Sequence, residues 1–333
     1  MRTLIPALAT PLLLAGTLIA AGREVYVAAD GRDDNAGTRE QPWRSLGRAA
    51  AVLAPGDVCR LAGGTYRETL RPVRSGSFGQ PIRFEACAGE TASLVGSIDL
   101  RGRAHIEIVG LNIVGGQARL EGAVHCRLQN CQFRQGAGDH PESGTAVVVL
   151  GGRHNVLVGC WVLDATRSGV HLPPDSANNE VIECLLQGCG SSGSEWPVLQ
   201  AAGTAQVIRR VTVERAGGPA LEADGLMNAR VEFSDFRLCG GAASNVPTVR
   251  LKGDGKGTVV GYNWIHDTAS PGGLGVQCVR GLENYIVRNN VVWGHSGTGL
   301  LVESGVRGLH LLHNTALRNG VSIDATGADD CSG

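Results

Sequence analysis

The sequence predicts an all-β solenoid, a parallel β-helix of about 8–10 coils with an N-terminal α-helical cap. Three observations carry that fold class. Glycine supplies 49 of 333 residues and aromatics only 4%, a glycine usage roughly twice the average that fits short strands and tight turns. A phrase of about 26 residues recurs from residue 117 onwards. The N-terminal residues 25–90 lie outside that repeat and contain a short amphipathic run able to cover an open coil end.

The chain opens with Met1-Arg2 and the apolar run LIPALATPLLLAGTLIAA (4–21), ending in small residues. That pattern predicts a secretory signal peptide over residues 1–22, hence export and a soluble mature protein that leaves the membrane after cleavage. Net charge is -1, which argues against a nucleic-acid partner, since such proteins carry a basic face. The apolar fraction of 43% is too high for disorder, and the glycines follow no collagen period.

Residues 23–90 are expected to form the cap and first coils. Within them GRAAAVLA predicts a small helix whose apolar face is Leu46, Ala50 and Leu53. Asp33, Asp34 and Asn35 form an acidic turn, read either as a polar turn or as a Ca²⁺ site.

Residues 91–323 are expected to hold the repeats. A first strand begins at TAVVVLGG (145), GVHLPPD (169), PVLQAAG (197), PALEADG (219), PTVRLKGDG (247), LGVQCVRG (274) and LLVESG (300). A second phrase begins at LQNCQF (128), LVGCWV (157), VIECLL (181), VVGYNWI (259), YIVRNNVV (285) and HLLHNTAL (310). So short a unit cannot bury its own apolar face and must stack on its neighbours. Leucine-rich, tetratricopeptide, ankyrin and propeller repeats differ in motif, helicity or length. Cys131, Cys160 and Cys184 share one phrase position and are read as a packed column rather than a metal or redox site. Asn263, Asn290 and Asn314 fall nearly at that position and are read as a ladder in a left-handed turn. The repeats are expected to end near Ile323, with ATGADDCSG as a short tail (324–333).

Residues 25–90 read YV…DG.D.N.GT…QPW.SL, then PGD…L..GTYRE, then PI.F.A..GE. In wording and order they resemble the N-terminal cap of secreted right-handed parallel β-helix proteins, the pectate-lyase-like superfamily. YNWIHDTASPGGLGV and VRNNVVWGHSGTGLLV are similar to that superfamily's repeat domain. The resemblance implies a right-handed parallel β-helix, secretion and contact with carbohydrate. Its members include lyases, hydrolases, epimerases and non-catalytic proteins, so it leaves the reaction open.

Alternation along the first strand sets which side chains face outwards. With Leu221, Ala223, Val249, Leu251, Val276, Cys278, Leu300 and Val302 inward, the outward set is Glu222, Asp224, Arg250, Lys252, Gln277, Leu301 and Glu303. His171 and Gln200 join the same column on earlier coils. Glu222 is expected beside Arg250 and Asp224 beside Lys252, one strand spacing apart. A polyuronate lyase needs a base for the proton next to the carboxyl group and cations for the enolate-like anion. Lys252 or Arg250 would be that base if neighbouring charges lower its pKa. Glu222, Asp224 and Asp254 would hold Ca²⁺ through oxygen, and His171, Gln200, Gln277 and Glu303 would contact the polysaccharide. Family-nine pectate lyases use a lysine base and an aspartate-rich calcium pocket on this face, and Lys252 is similar to that lysine in type and location.

Two other readings use the same residues. Glu222 and Asp224, about 7 Å apart as i and i+2 on a strand, span the separation of an inverting glycosidase pair. A surface of solvated ion pairs on a non-catalytic, carbohydrate-binding β-helix is the third. His266-Asp267 is read as a turn-stabilising pair, and His310 and His313 as surface residues. Trp161, Trp196, Trp264 and Trp293 would stack on sugar rings where exposed. The protein is expected to be a monomer. Both lysines of the chain, Lys252 and Lys256, fall in RLKGDGK, beside the densest charge cluster on this face.

Overall fold

The computed structural model describes residues 22–135, 144–190, 196–241 and 243–326. The expected leader lies outside them except for Gly22, as does most of the expected tail with Cys331. Among the described residues the strands form three parallel sheets of twelve, eleven and ten strands, here sheets A, B and C. Each coil lays one strand on each sheet in turn, so sequence neighbours a coil apart become hydrogen-bonded neighbours. This is the expected solenoid of about ten coils.

Short strands on successive sheets require a sharp corner between them, and a left-handed residue makes it. Between sheets A and B that residue is Asn130, Gly159, Glu183, Arg210, Phe233, Tyr262, Asn289 or His313 in successive coils, all with φ between 52° and 62°. The next residue points inwards. Here the expected cysteine column and asparagine ladder turn out to be one column: Cys131, Cys160, Cys184, Val211, Ser234, Asn263, Asn290 and Asn314. The Asn263 Nδ2 donates to Asn290 Oδ1 at 3.0 Å, and Asn290 Nδ2 donates to Asn314 Oδ1 at 3.0 Å. The asparagines themselves are not left-handed, contrary to expectation. The bend falls one residue earlier, and the amide is spent satisfying main-chain groups that the bend strips from the ladder: Ser234 N donates to Asn263 Oδ1 and Asn263 Nδ2 to Val231 O.

The core is one continuous cluster filling the solenoid. Of the nine described cysteines all except Cys87 are buried. Burial pushes the Cys189 and Cys239 thiols up to about 12, as expected for inert packing groups.

The cap helix, α1, runs Leu46–Val52. Ser45 caps it by accepting from Arg48 N at 3.1 Å. Its buried face is Leu46, Ala49 and Ala50, continued by Leu53, one alanine wider than the spacing predicts. The acidic turn before it is a structural brace: Asp33 accepts from Arg44 N, Ser45 N and Ser45 Oγ, and Asp34 pairs with Arg32. No helix among the described residues is long and apolar enough to cross a membrane.

Candidate functional site

Sheet C carries the outward column foreseen from alternation. Its register pairs His171 with Gln200, Gln200 with Glu222, Glu222 with Arg250, and Arg250 with Gln277. Asp224 pairs with Lys252. Leu221, Ala223, Val249, Leu251, Val276 and Cys278 are fully buried beneath them, which locks the strands and fixes which residues face out. Gln277 is registered with Leu301 rather than with Glu303. Glu303 nonetheless accepts from Gln277 Nε2 at 2.7 Å and from Arg280 N at 3.0 Å.

The charged rung is tighter than a set of solvated pairs. Glu222 is only 6% exposed. Its Oε2 meets Arg250 Nη1 at 3.1 Å and its Oε1 meets Lys252 Nζ at 3.0 Å. Lys252 also reaches Asp224 Oδ2 at 3.3 Å. Arg250 Nε extends to Gln277 Oε1 at 3.4 Å. One buried carboxylate thus holds two cations at fixed positions on this face.

The turn after Lys252 is built to hold it. Tyr285, fully buried, packs its ring where a side chain at residue 255 would stand: a Cβ on Gly255 would lie 2.0 Å from that ring. Its hydroxyl donates to Lys252 O at 3.2 Å and accepts from Leu226 N at 3.3 Å. The chain then leaves sheet C, and Asp254 begins the sheet A strand Asp254–Gly261.

Two expectations bear on the local chemistry of this rung. Burial by itself would lower the Lys252 pKa, but the hydrogen bond and charge of Glu222, with the charge of Asp224, outweigh it and hold the ammonium proton above the ordinary lysine range. The neighbours therefore act opposite to what a resting free amine requires. Nor do Glu222, Asp224 and Asp254 converge as calcium ligands. Asp254 Oδ1 accepts from Lys256 N and Asn284 Nδ2 around the corner, while the other two acids are engaged by cations. Among the described residues no group of three or more His, Cys, Asp or Glu is placed to hold a metal.

Apart from His171 and Trp196, the histidines and tryptophans singled out in the sequence lie on other faces. His266 lies on sheet B, with Nδ1 at 2.7 Å from Asp267 and Nε2 at 3.0 Å from Asp235. Its ring stacks on Trp293 at 4.0 Å. Asp235 has no local signal in the sequence; only coil register brings it there. Trp196 stands at the edge of sheet C with the Arg167 guanidinium 3.7 Å over its ring. Trp161 and Trp264 are exposed on sheet B. His310 is exposed on sheet A, and His313 occupies a left-handed corner.

A family model described as the right-handed beta helix region matches residues 121–316. Over 75 residues the chain is 39% identical to the uncharacterized protein YwoF of Bacillus subtilis, covering 22% of this chain and 16% of that protein. Over 75 residues it is 35% identical to pectate lyase PEL9 of Emericella nidulans, covering 22% of this chain and 18% of that one. The match therefore spans under a fifth of either curated relative. Among solved structures, a GH136 lacto-N-biosidase from Eubacterium ramulus aligns with a TM-score of 0.64 at 15% identity, over 94% of this chain and 67% of that one. At that identity the likeness is one of fold.

Proposed function

The chain belongs to the right-handed β-helix family, and from that premise we propose an exported, monomeric protein that cleaves a uronate-containing polysaccharide by β-elimination on sheet C. The observation that carries the reading is Glu222, buried between Arg250 and Lys252. A buried carboxylate is costly unless fully paired, and here its pairing fixes two cations on a face long enough for an extended polymer. The partial likeness to a protein named as a pectate lyase supports the substrate class.

In the proposed reaction Arg250 binds the uronate carboxylate and neutralises it, which acidifies the neighbouring C–H. Lys252, once deprotonated, takes that proton. The C–H electron pair becomes the new C=C bond, and the bond to the glycosidic oxygen breaks. That oxygen leaves with a proton from solvent. Gln200 and Gln277 flank the charged rung and would hold sugar hydroxyls, with His171 one rung further along and Glu303 beside Gln277.

The test is incubation with polygalacturonate, alginate and hyaluronate while following the ultraviolet absorbance of the unsaturated uronate product. Absorbance growth that is lost in Lys252→Ala supports the proposal. New reducing ends without that absorbance would assign the site to hydrolysis, with Glu222 and Asp224 as the pair. Binding without any product would make it a non-catalytic glycan receptor.

A further inference from the structure

Sheet B carries a second outward column, with register Asn112–Gln132–Trp161–Leu185–Thr212–Asp235–Trp264. Trp161 is 52% exposed and Trp264 59% exposed. Large indoles facing water are unusual on a stable scaffold and mark a contact surface. They stand four rungs apart, about 19 Å along the solenoid axis. A pyranose ring in an extended glycan advances by a length close to one rung, so the two indoles would lie beneath rings of the same strand.

The ground around them has the chemistry of sugar recognition. Next to Trp161 is a cavity of about 430 Å³ lined by Asn112, Asn130 and Gln132. The side-chain amides of Asn112, Asn130 and Gln132 offer both donors and acceptors of the kind that sugar hydroxyls pair with. Between the indoles runs a polar network. Gln187 Nε2 donates to Glu214 at 2.7 Å, Arg237 reaches both Glu214 and Asp235 at 2.8 and 2.9 Å, and His266 meets Asp235 at 3.0 Å. Trp264 is braced edge-on by Trp293 at 6.0 Å, so its orientation is set before binding. The indoles stand among amides and paired charges, and beside Trp264 the exposed rings of Phe233 and Tyr262 stack at 5.1 Å; flat rings interleaved with polar groups suit a sugar strand.

We propose that sheet B is a second polysaccharide-binding face, on which Trp161 and Trp264 grip one extended, uncharged glycan strand running along the solenoid axis. This face is separate from the charged rung of sheet C and does not depend on it. The test is affinity gel electrophoresis of the full chain in gels containing neutral β-glucan or neutral xylan, polymers that carry no uronate for Arg250. Retardation is expected in at least one gel. Trp161→Ala and Trp264→Ala should each weaken it about tenfold, the magnitude of one stacked aromatic contact, and the double variant should migrate as in a blank gel. Lys252→Ala should be retarded as strongly as the parent protein. No retardation of the parent, or retardation unchanged in both tryptophan variants, overturns the proposal. So does sedimentation showing a dimer that Trp161→Ala converts to monomer. Unchanged circular dichroism of the variants keeps a loss of binding attributable to the indoles.

Discussion

Lys252 shows how two acids redirect one side chain. A base must be neutral to take a proton, and Glu222 and Asp224 hold this amine protonated beyond its ordinary range. The reactive fraction at neutral pH is therefore small, and it grows about tenfold per pH unit until the raised pKa is passed. The expected kcat/KM profile climbs through neutral and alkaline pH and does not level off before about pH 10. Asp224→Asn removes one of the charges retaining the proton and should move the whole limb to lower pH. A profile that plateaus near pH 7, or that ignores Asp224→Asn, would reject Lys252 as the base. Lys252→Ala is expected to reduce kcat about 10²–10⁴-fold, the range of a lost general base. Because the acids of this rung are occupied by cations, elimination should survive chelation by EDTA, with residual rate as the readout. Alternation makes the register of this rung readable from the sequence, because a period of two leaves no freedom once the inward residues are known, but not the diagonal contact of Lys252 with Glu222 at 3.0 Å. The sign of the Lys252 shift was not readable, since it depends on Glu222 being buried while Asp224 is half-exposed.

At the scale of the element, the corner and the turn carry most of the specificity. Asn263 is fully buried and satisfies Ser234 N and Val231 O. Asn263→Ala would leave both main-chain groups unpaired and is expected to cost about 3 kcal/mol, measured by urea unfolding. Gly255→Ala would drive a methyl into the Tyr285 ring, an overpacking expected to cost about 1–3 kcal/mol. It should also loosen the hydroxyl bond to Lys252 O, so activity should fall further than stability alone would require. The helix, the repeat and the existence of a corner ladder were all legible, because each is local in sequence. The Tyr285 brace was not: it reaches Lys252 from the following coil, with nothing in RLKGDGK to announce it. The asparagine ladder was found but displaced by one residue from the left-handed bend. Turn preference alone does not say whether an asparagine makes the bend or repairs its hydrogen bonds.

For the whole molecule the outcome was decided by period. A repeat near 26 residues forces stacking, and stacking yields the three sheets, the continuous core and, among the described residues, the near absence of accessible thiols. Among the nine described cysteines Cys87 alone is half-exposed, with burial and Glu90 raising its pKa against the opposing pull of Arg60 and Arg39. In the native protein, peptide mapping after maleimide treatment should find Cys87 modified, slowly, and the other eight described cysteines protected until denaturant is added. What the period did not reveal is which coils bring distant polar residues together, as with Asp235 and His266, because loop lengths vary from coil to coil.

The strand register also turns the backbone into a gauge. Each coil adds one rung to all three faces at once, so the interval between Trp161 and Trp264 is counted in whole coils rather than tuned by side chains. Excising one complete coil between them would draw the indoles together by about 4.8 Å while leaving both chemically untouched. The change would come in a single quantum close to one sugar residue. A lineage of such proteins could therefore alter the length of glycan it grips by duplicating or losing coils, in steps, without redesigning a single contact.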